Sequence, residues 1–360
     1  MTPDVCRDMT SDSHTTLIPS AQATAFPIKL LDWFDQHGRH DLPWQVADDP
    51  YSVWVSEIML QQTQVKTVLQ YFTRFMQRFP TVADLGGAHW DEVAPYWAGL
   101  GYYARARNLH KAAGIVAENG KFPVDLDGWM ALPGIGRSTA GALMSLGLRQ
   151  YGVIMDGNVK RVLARNFALD GDSMASSFLK NIWQIAETLT PLDRTHDYNQ
   201  AIMDLGATLC TPKKPLCLYC PFHSDCLALQ QNRVLDLPQK PTKKAMPTRH
   251  AQVLLLEHDG QLLWQQRPAS GLWGGLWCLP LIEEDIEQRL DALDLPQATA
   301  GKQIKHTFTH FHWQLQAQHF AVSATTSQQL ALHFAPTRWM SREQAFAAGV
   351  PEAMRKLLEP

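Results

Sequence analysis

Leu132-Pro133-Gly134-Ile135-Gly136-Arg137-Ser138-Thr139-Ala140 lies between two stretches with helical apolar spacing. Two glycines two apart let the backbone close a tight hairpin with its N–H groups exposed. At the start of the following helix those groups make an anion site suited to a phosphate. A lone G-x-G is usually only a turn. With Leu-Pro ahead and Ser-Thr-Ala behind, the stretch fits a helix-hairpin-helix, an element that holds a DNA backbone without reading its sequence.

Around this hairpin, from Phe26 to about Leu209, apolar residues recur at helical spacing. Trp54, Val55 and Ile58 share one face, and Val65 to Phe79 continue at threes and fours up to the stop at Pro80. A polar break, Gln61-Gln62-Thr63-Gln64, separates the two runs. Further helices are expected over Arg105–Asn119, Thr139–Leu148, Ser176–Leu189 and Asn199–Leu209, with no strand pattern among them. Downstream of the hairpin, Asp156 opens Asp156-Gly157-Asn158-Val159-Lys160-Arg161, where an acid at a helix start most simply caps it.

Cys210, Cys217, Cys220 and Cys226 then follow with the spacing C-x6-C-x2-C-x5-C. Four thiolates so close can wrap one metal centre, and four are what a [4Fe–4S] cluster needs. Structural zinc usually shows two separated tight pairs, and here there is one. Disulfides are the remaining alternative, disfavoured where no secretory signal precedes the chain. Cys6 and Cys278 stand apart and read as bystanders.

After Cys226 the composition shifts. Pro238, Pro241 and Pro247, with lysines among them, mark a linker. Beyond Arg249 the pattern becomes strand-like. Gln252–Glu257 and Gln261–Gln266 flank Asp259-Gly260, a hairpin signal. Lys302–Thr309 and Trp313–Ser323 read as strands, Ser341-x-x-Gln344 as a capping box, and Glu352–Leu357 as a last helix. The expected architecture is multidomain: an all-α body with a metal loop, then a smaller α+β domain.

The 360 residues allow about two or three domains. The apolar fraction of 45% and the 12 tryptophans suffice for sizeable cores. No apolar run approaches a membrane span, so no membrane partner is expected. Residues 1–25 read as a disordered tail without targeting character, which suggests a reducing cytoplasm. The net charge of −3 gives no global support for nucleic-acid binding, so local patches must carry it. Three exist: Arg105, Arg107 and Lys111; Lys160, Arg161 and Arg165; and five Lys or Arg between Arg233 and His250. Each taken singly reads as a solvated face.

Hairpin, downstream Asp and cysteine loop together resemble the helix-hairpin-helix DNA glycosylase superfamily that carries an iron–sulfur loop. The resemblance covers about residues 28–228. Leu42-Pro43-Trp44, Ser56–Val65, Gly99–Arg107 and Met155–Arg165 are similar to the adenine-excising branch. The endonuclease III branch has a lysine on the hairpin's second helix that attacks the sugar and cleaves the strand. Here Ser138 stands at that position, which implies a monofunctional enzyme that leaves an abasic site.

The resemblance implies the following roles. Glu57, among apolar neighbours, is the acid that protonates adenine and helps activate water. Asp156 is the ionised group that stabilises the sugar cation or briefly bonds to it, with Asn158 nearby to hold it. Gln62 and Tyr102 wedge into the duplex while the adenine is extruded. Trp44, Gln45 and Gln200 line the adenine pocket, Leu60 and Thr63 are further substrate-binding residues, and Gly134 and Gly136 grip the DNA backbone. The four cysteines hold a [4Fe–4S] cluster.

Residues 249–360 resemble a Nudix-type domain. Gly271-Leu272-Trp273-Gly274-Gly275-Leu276-Trp277 with Leu279-Pro280 matches its core loop. Glu283-Glu284 follows, but no R-E-x-x-E-E pattern, so diphosphate hydrolysis is expected to be lost. Phe308-Thr309-His310 matches a Phe-Ser-His loop that meets 8-oxoguanine opposite the adenine, with Thr309 in place of Ser.

The expected domains are a tail (1–25), a helix-hairpin-helix body (26–228, cysteine loop 210–226), a linker (229–248) and a recognition domain (249–360). The expected partner is double-stranded DNA with A opposite 8-oxoguanine or G, bound by a nucleoid-associated cytoplasmic monomer. The alternatives are a bifunctional pyrimidine-lesion glycosylase/lyase, a nucleotide-pool hydrolase and a non-catalytic DNA-binding protein.

Overall fold

A computed structural model describes residues 18–46, 49–241 and 245–359. Cys6 and the tail up to residue 17 lie outside the described residues. The first helices are α1 (Ser20–His37), α2 (Pro43–Val46), α3 (Pro50–Leu60), α4 (Val65–Arg78), α5 (Val82–Gly87), α6 (Trp90–Trp97), α7 (Tyr103–Asn119) and α8 (Leu126–Met130). After the hairpin come α9 (Arg137–Ala142), α10 (Gly157–Asn166), α11 (Ser176–Leu189), α12 (Thr195–Thr208) and α13 (Leu227–Gln230). They fall into two compact units, residues 1–42 with 137–242 and residues 43–136 with 243–360.

In the first unit α1 begins at Ser20, inside the stretch read as a tail. Its buried face, Phe26, Leu30 and Phe34, explains the order, and Phe26 stacks on Phe222 of the cysteine loop at 4.3 Å. The helix expected over Thr139–Leu148 is in fact α9 followed by a π turn, Leu143–Gly147. Two side-chain bonds disturb the ladder there. Ser145 Oγ donates back to Gly141 O at 2.9 Å, and Asn199 Nδ2 donates to Ser145 Oγ at 2.7 Å. Gly141 must be glycine, since a Cβ would stand 2.0 Å from Val153 O. The stretch read as a linker is tied down as far as Gln239: Arg165 Nε donates to Leu237 O at 3.0 Å, and Ser173 N to Gln239 O at 3.0 Å.

The second unit joins α2–α8 to a mixed sheet. Its strands are β1 (Thr248–His258), β2 (Gln261–Gln266), β3 (Trp277–Cys278), β4 (Leu281–Ile282), β5 (Thr299–Thr307), β6 (His312–Ala321) and β7 (Thr337–Met340). The order is β3-β2-β1-β6-β5, with β4 on β1 and β7 on β2. The turn between β1 and β2 is the expected Asp-Gly hairpin, with both residues at positive φ. The β1–β6 pair is parallel, from Thr248↔His312 to Glu257↔Ala321. Helices α14 (Ile286–Asp291), α15 (Ala324–His333), α16 (Arg342–Ala348) and α17 (Glu352–Leu358) complete it, α16 behind the expected Ser341/Gln344 capping box. The core on one face holds Trp264, Trp277, Trp313, Leu315 and Met354; the other holds Leu254, Leu256, Phe320 and Leu330. Among the described residues no helix is long and apolar enough to cross a membrane.

Candidate active site

Glu57 stands on α3, which Asp49 caps by accepting from Tyr51 N at 3.2 Å and Ser52 N at 2.9 Å. Trp54, Val55 and Ile58 on this helix are buried, and Glu57 is half-buried. Trp54 meets Trp129 edge-on at 5.7 Å, which fixes the helix from beneath. Trp44 is buried and edge-on to Phe72 at 5.3 Å, and Gln45 is half-buried.

Helix α3 ends at Leu60, and Thr63 N closes the turn by donating to Leu60 O at 3.1 Å. Gln62 is exposed with φ +60°, and Tyr102 is 48% exposed with φ +50°. Non-glycine residues at left-handed φ are uncommon and strained, and such strain persists only where its surroundings enforce it.

Arg105 supplies that enforcement. Its guanidinium donates to Ile58 O at 2.9 Å, to Met59 O at 3.3 Å, to Gln61 O and to Gly101 O at 3.4 Å. It also lies 5.2 Å from the Tyr102 ring centroid. Burial lowers its pKa to about 10, which leaves it charged at neutral pH. One side chain therefore holds the end of the Glu57 helix and the exposed residues Gln62 and Tyr102. Read from the sequence it belonged to a solvated basic face; its place beside the Gly99-Leu100-Gly101 turn was the available signal. Arg105→Lys loses the planar fork that serves several carbonyls at once. We expect it to destabilise the protein by about 2 kcal/mol, measured by denaturant unfolding, since hydrogen bonds to charged groups contribute roughly that much.

In the hairpin, Gly134 has φ +78°, a conformation glycine alone adopts without strain, and a Cβ on Gly136 would meet nothing within 4 Å. Ser138 is half-buried, and its Oγ accepts from Met155 N at 2.9 Å. The hydroxyl thus fixes the residue before Asp156. Asp156 caps α10: its carboxylate accepts from Val159 N at 2.7 Å and from Asn158 Nδ2 at 2.9 Å. Asn158 Oδ1 in turn accepts from Arg161 at 2.8 Å, and Arg161 donates to Gly206 O at 2.7 Å and Cys210 O at 2.6 Å. Burial pushes the Asp156 carboxyl up from its ordinary value; the Val159 N–H and the Asn158 side chain pull it back. Gln200 is buried, its amide donating to Asp204 at 2.8 Å, and Asp204 is paired with Arg39 at 2.5 Å.

The four cysteines line one cavity with Arg165, Leu209, Phe222, Leu229 and Val234. Arg165, only 2% exposed, donates to Thr211 O at 2.8 Å and approaches Cys210 Sγ at 3.4 Å. Burial pushes the Cys220 thiol up to about 12, and Cys217 and Cys226 move the same way for the same first reason. Thiols buried together resist ionisation unless a cation compensates them. Among the described residues no group of three or more His, Cys, Asp or Glu is placed to hold a single metal ion. Four thiols around a common cavity are the donor set that the four irons of a cluster would take, one thiolate each.

In the sheet domain Phe308 is stacked on Phe311 at 4.8 Å and lies 5.8 Å from Trp273. Thr309 and His310 are exposed at the turn between β5 and β6, with Thr309 Oγ1 3.2 Å from His310 Nδ1. A half-buried aromatic residue, packed on buried Phe311, thus stands beside two exposed hydrogen-bonding side chains. Glu283 and Glu284 lie ahead of α14, a helix of six residues.

The family description "HhH-GPD superfamily base excision DNA repair protein" matches residues 55–188, and that of the NUDIX domain matches residues 251–360. The adenine DNA glycosylase of Buchnera aphidicola subsp. Schizaphis graminum is 34% identical, over 92% of this chain and 96% of the relative. The adenine DNA glycosylase of Homo sapiens is 35% identical, over 94% of this chain and 74% of the relative. Among solved structures, a thermostable thymine-DNA glycosylase aligns with a TM-score of 0.53 at 27% identity, covering 59% of this chain and 98% of that one.

Proposed function

Because the chain belongs to the adenine DNA glycosylase family, we propose that it hydrolyses the N-glycosidic bond of adenine mispaired with 8-oxoguanine or guanine in duplex DNA. It is a DNA N-glycosylase of base excision repair, a hydrolase, with a helix-hairpin-helix body and a C-terminal Nudix fold. The observation that carries the proposed chemistry is the setting of Asp156. Its carboxylate is fixed by two donors, and the hydroxyl of Ser138 on the hairpin helix fixes the residue before it. A hairpin that grips a phosphate would thereby set the position of a carboxylate that stabilises a sugar cation.

The roles follow from what bond breaking requires. Adenine leaves as a neutral base only if a proton reaches its ring, and Glu57 supplies that proton. The sugar left behind is cationic, and Asp156, oriented by Asn158, stabilises it until water adds at C1′. The water's proton returns to the Glu57 carboxylate. Gln62 and Tyr102 fill the gap in the stack, flanked by Leu60 and Thr63, while Trp44, Gln45 and Gln200 shape the base pocket. Gly134 and Gly136 hold the backbone. Thr309 and His310, set on Phe308, read the opposite base. Cys210, Cys217, Cys220 and Cys226 hold a [4Fe–4S] cluster, which would pin the loop to α10 through Arg161 and Arg165. The functional modules are residues 26–228 and 249–360, joined by 229–248, in a nucleoid-associated monomer.

The test is a duplex with A opposite 8-oxoguanine, incubated with protein and then treated with alkali. Alkali-dependent cleavage at the adenine is expected, and its absence there and at A opposite G would sink the proposal. Monofunctional chemistry predicts no borohydride trapping for the wild type. Ser138→Lys places an amine at the hairpin helix and should give a trapped adduct. It should also lower stability by roughly 1–3 kcal/mol, since Met155 N–H loses its acceptor.

A further inference from the structure

One basic surface of this chain is built on α7. Arg107, His110 and Lys111 share one face of α7 at helical spacing. With Trp90, Gln266 and Arg267 they line a cleft of about 500 Å³ within the second unit, and no acidic side chain lines it. The Arg107 guanidinium donates to Gly274 O, and Trp90 Nε1 donates to Gly275 O at 3.2 Å, which join α6 and α7 to the glycine loop of the Nudix fold. Lys111 is exposed. Arg267 pairs with Glu283 at 3.2 Å, yet its Nε is buried with no hydrogen-bond partner.

We propose that this cleft holds phosphodiester groups of the DNA backbone. The wall is cationic in a chain whose net charge is −3, which is the local concentration of charge that a phosphate needs. Phosphate is favoured over a whole nucleotide because cations and amide donors line the cleft, while its one aromatic ring, Trp90, already has the Arg107 guanidinium and the His110 ring each 6.0 Å from its centroid. The position fits as well. By helix rise Lys111 lies about 14 Å along α7 from Tyr102, on the order of four base steps along a strand. A backbone running from a wedge at Tyr102 would therefore reach the cleft. That placement rests on the proposed function above.

The test is Lys111→Ala, with affinity for an undamaged duplex followed against salt concentration. Loss of one phosphate contact should lower the slope of log affinity against log salt by about 0.9, together with a several-fold loss of affinity at low salt. An unchanged slope overturns the proposal. A parallel titration with dGMP separates the two sources of phosphate: dGMP binding that the variant abolishes, with an unchanged slope, reassigns the cleft to a free nucleotide and overturns the DNA assignment. Undamaged duplex needs no excision, so a null slope leaves the adenine chemistry standing. Failure of excision in the wild type leaves the slope equally readable.

Discussion

Glu57→Gln is expected to abolish adenine release in single-turnover assays while duplex affinity stays within a few-fold of wild type. Glutamine has the same shape and keeps a carbonyl acceptor, so α3 and its packing on Trp129 should survive. What it lacks is a transferable proton. General acid catalysis by a positioned side chain contributes roughly 10²–10⁴-fold, and in the proposed mechanism the same group also receives the proton of the attacking water. The loss should therefore lie at the upper end of that range. In the proposed mechanism binding rests on other groups, the hairpin backbone, Gln62 and Tyr102 and the cationic faces, so affinity and rate should separate cleanly. A variant that excises at the wild-type rate removes Glu57 from the mechanism. One that loses rate and affinity together makes Glu57 a structural residue of α3.

The contrast between Glu57 and its surroundings shows what a linear reading can and cannot supply. Local signals were legible: Ser176–Leu189 and Gln261–Gln266 fold over the expected spans, and the Asp259-Gly260 turn and the Ser341 capping box form as expected. Each depends on residues within a turn of one another. The parallel pairing of β1 with β6 depends on residues more than fifty apart, and nothing in either strand announces its partner. The left-handed backbone at Gln62 and Tyr102 was equally hidden, because it is imposed from outside by Arg105. Arg105, Arg161 and Arg165 read as charged surface, since arginine is usually exposed. In the fold they turn inward and satisfy carbonyls at the ends of α3 and α12 and in the cysteine loop. Water would satisfy these guanidiniums equally well on a surface, and the main-chain oxygens that take them instead are invisible in a sequence.

Asp156→Asn separates activity from stability with opposite signs. Asparagine caps helices about as well as aspartate, so the start of α10 should hold through Val159 N. The charge, however, is gone, and losing a preorganised stabiliser of the transition state costs about 10²–10³-fold in rate. Burial is the larger influence on the wild-type carboxyl and raises its pKa. The native state then binds the proton more tightly than the unfolded chain does. Wild-type stability must therefore rise as pH falls through the raised value, and the burial penalty is fully present above it. Excision is expected to run the other way, because in the proposed mechanism only the Asp156 anion stabilises the sugar cation, so the rate should fall over that same acidic window. Measured side by side from neutral pH downward, wild type should gain stability relative to Asp156→Asn while losing rate. A stability difference that does not change with pH would mean that the native site leaves the carboxyl's proton affinity unshifted. Rate and stability falling together on acidification would identify some other group as the one that titrates.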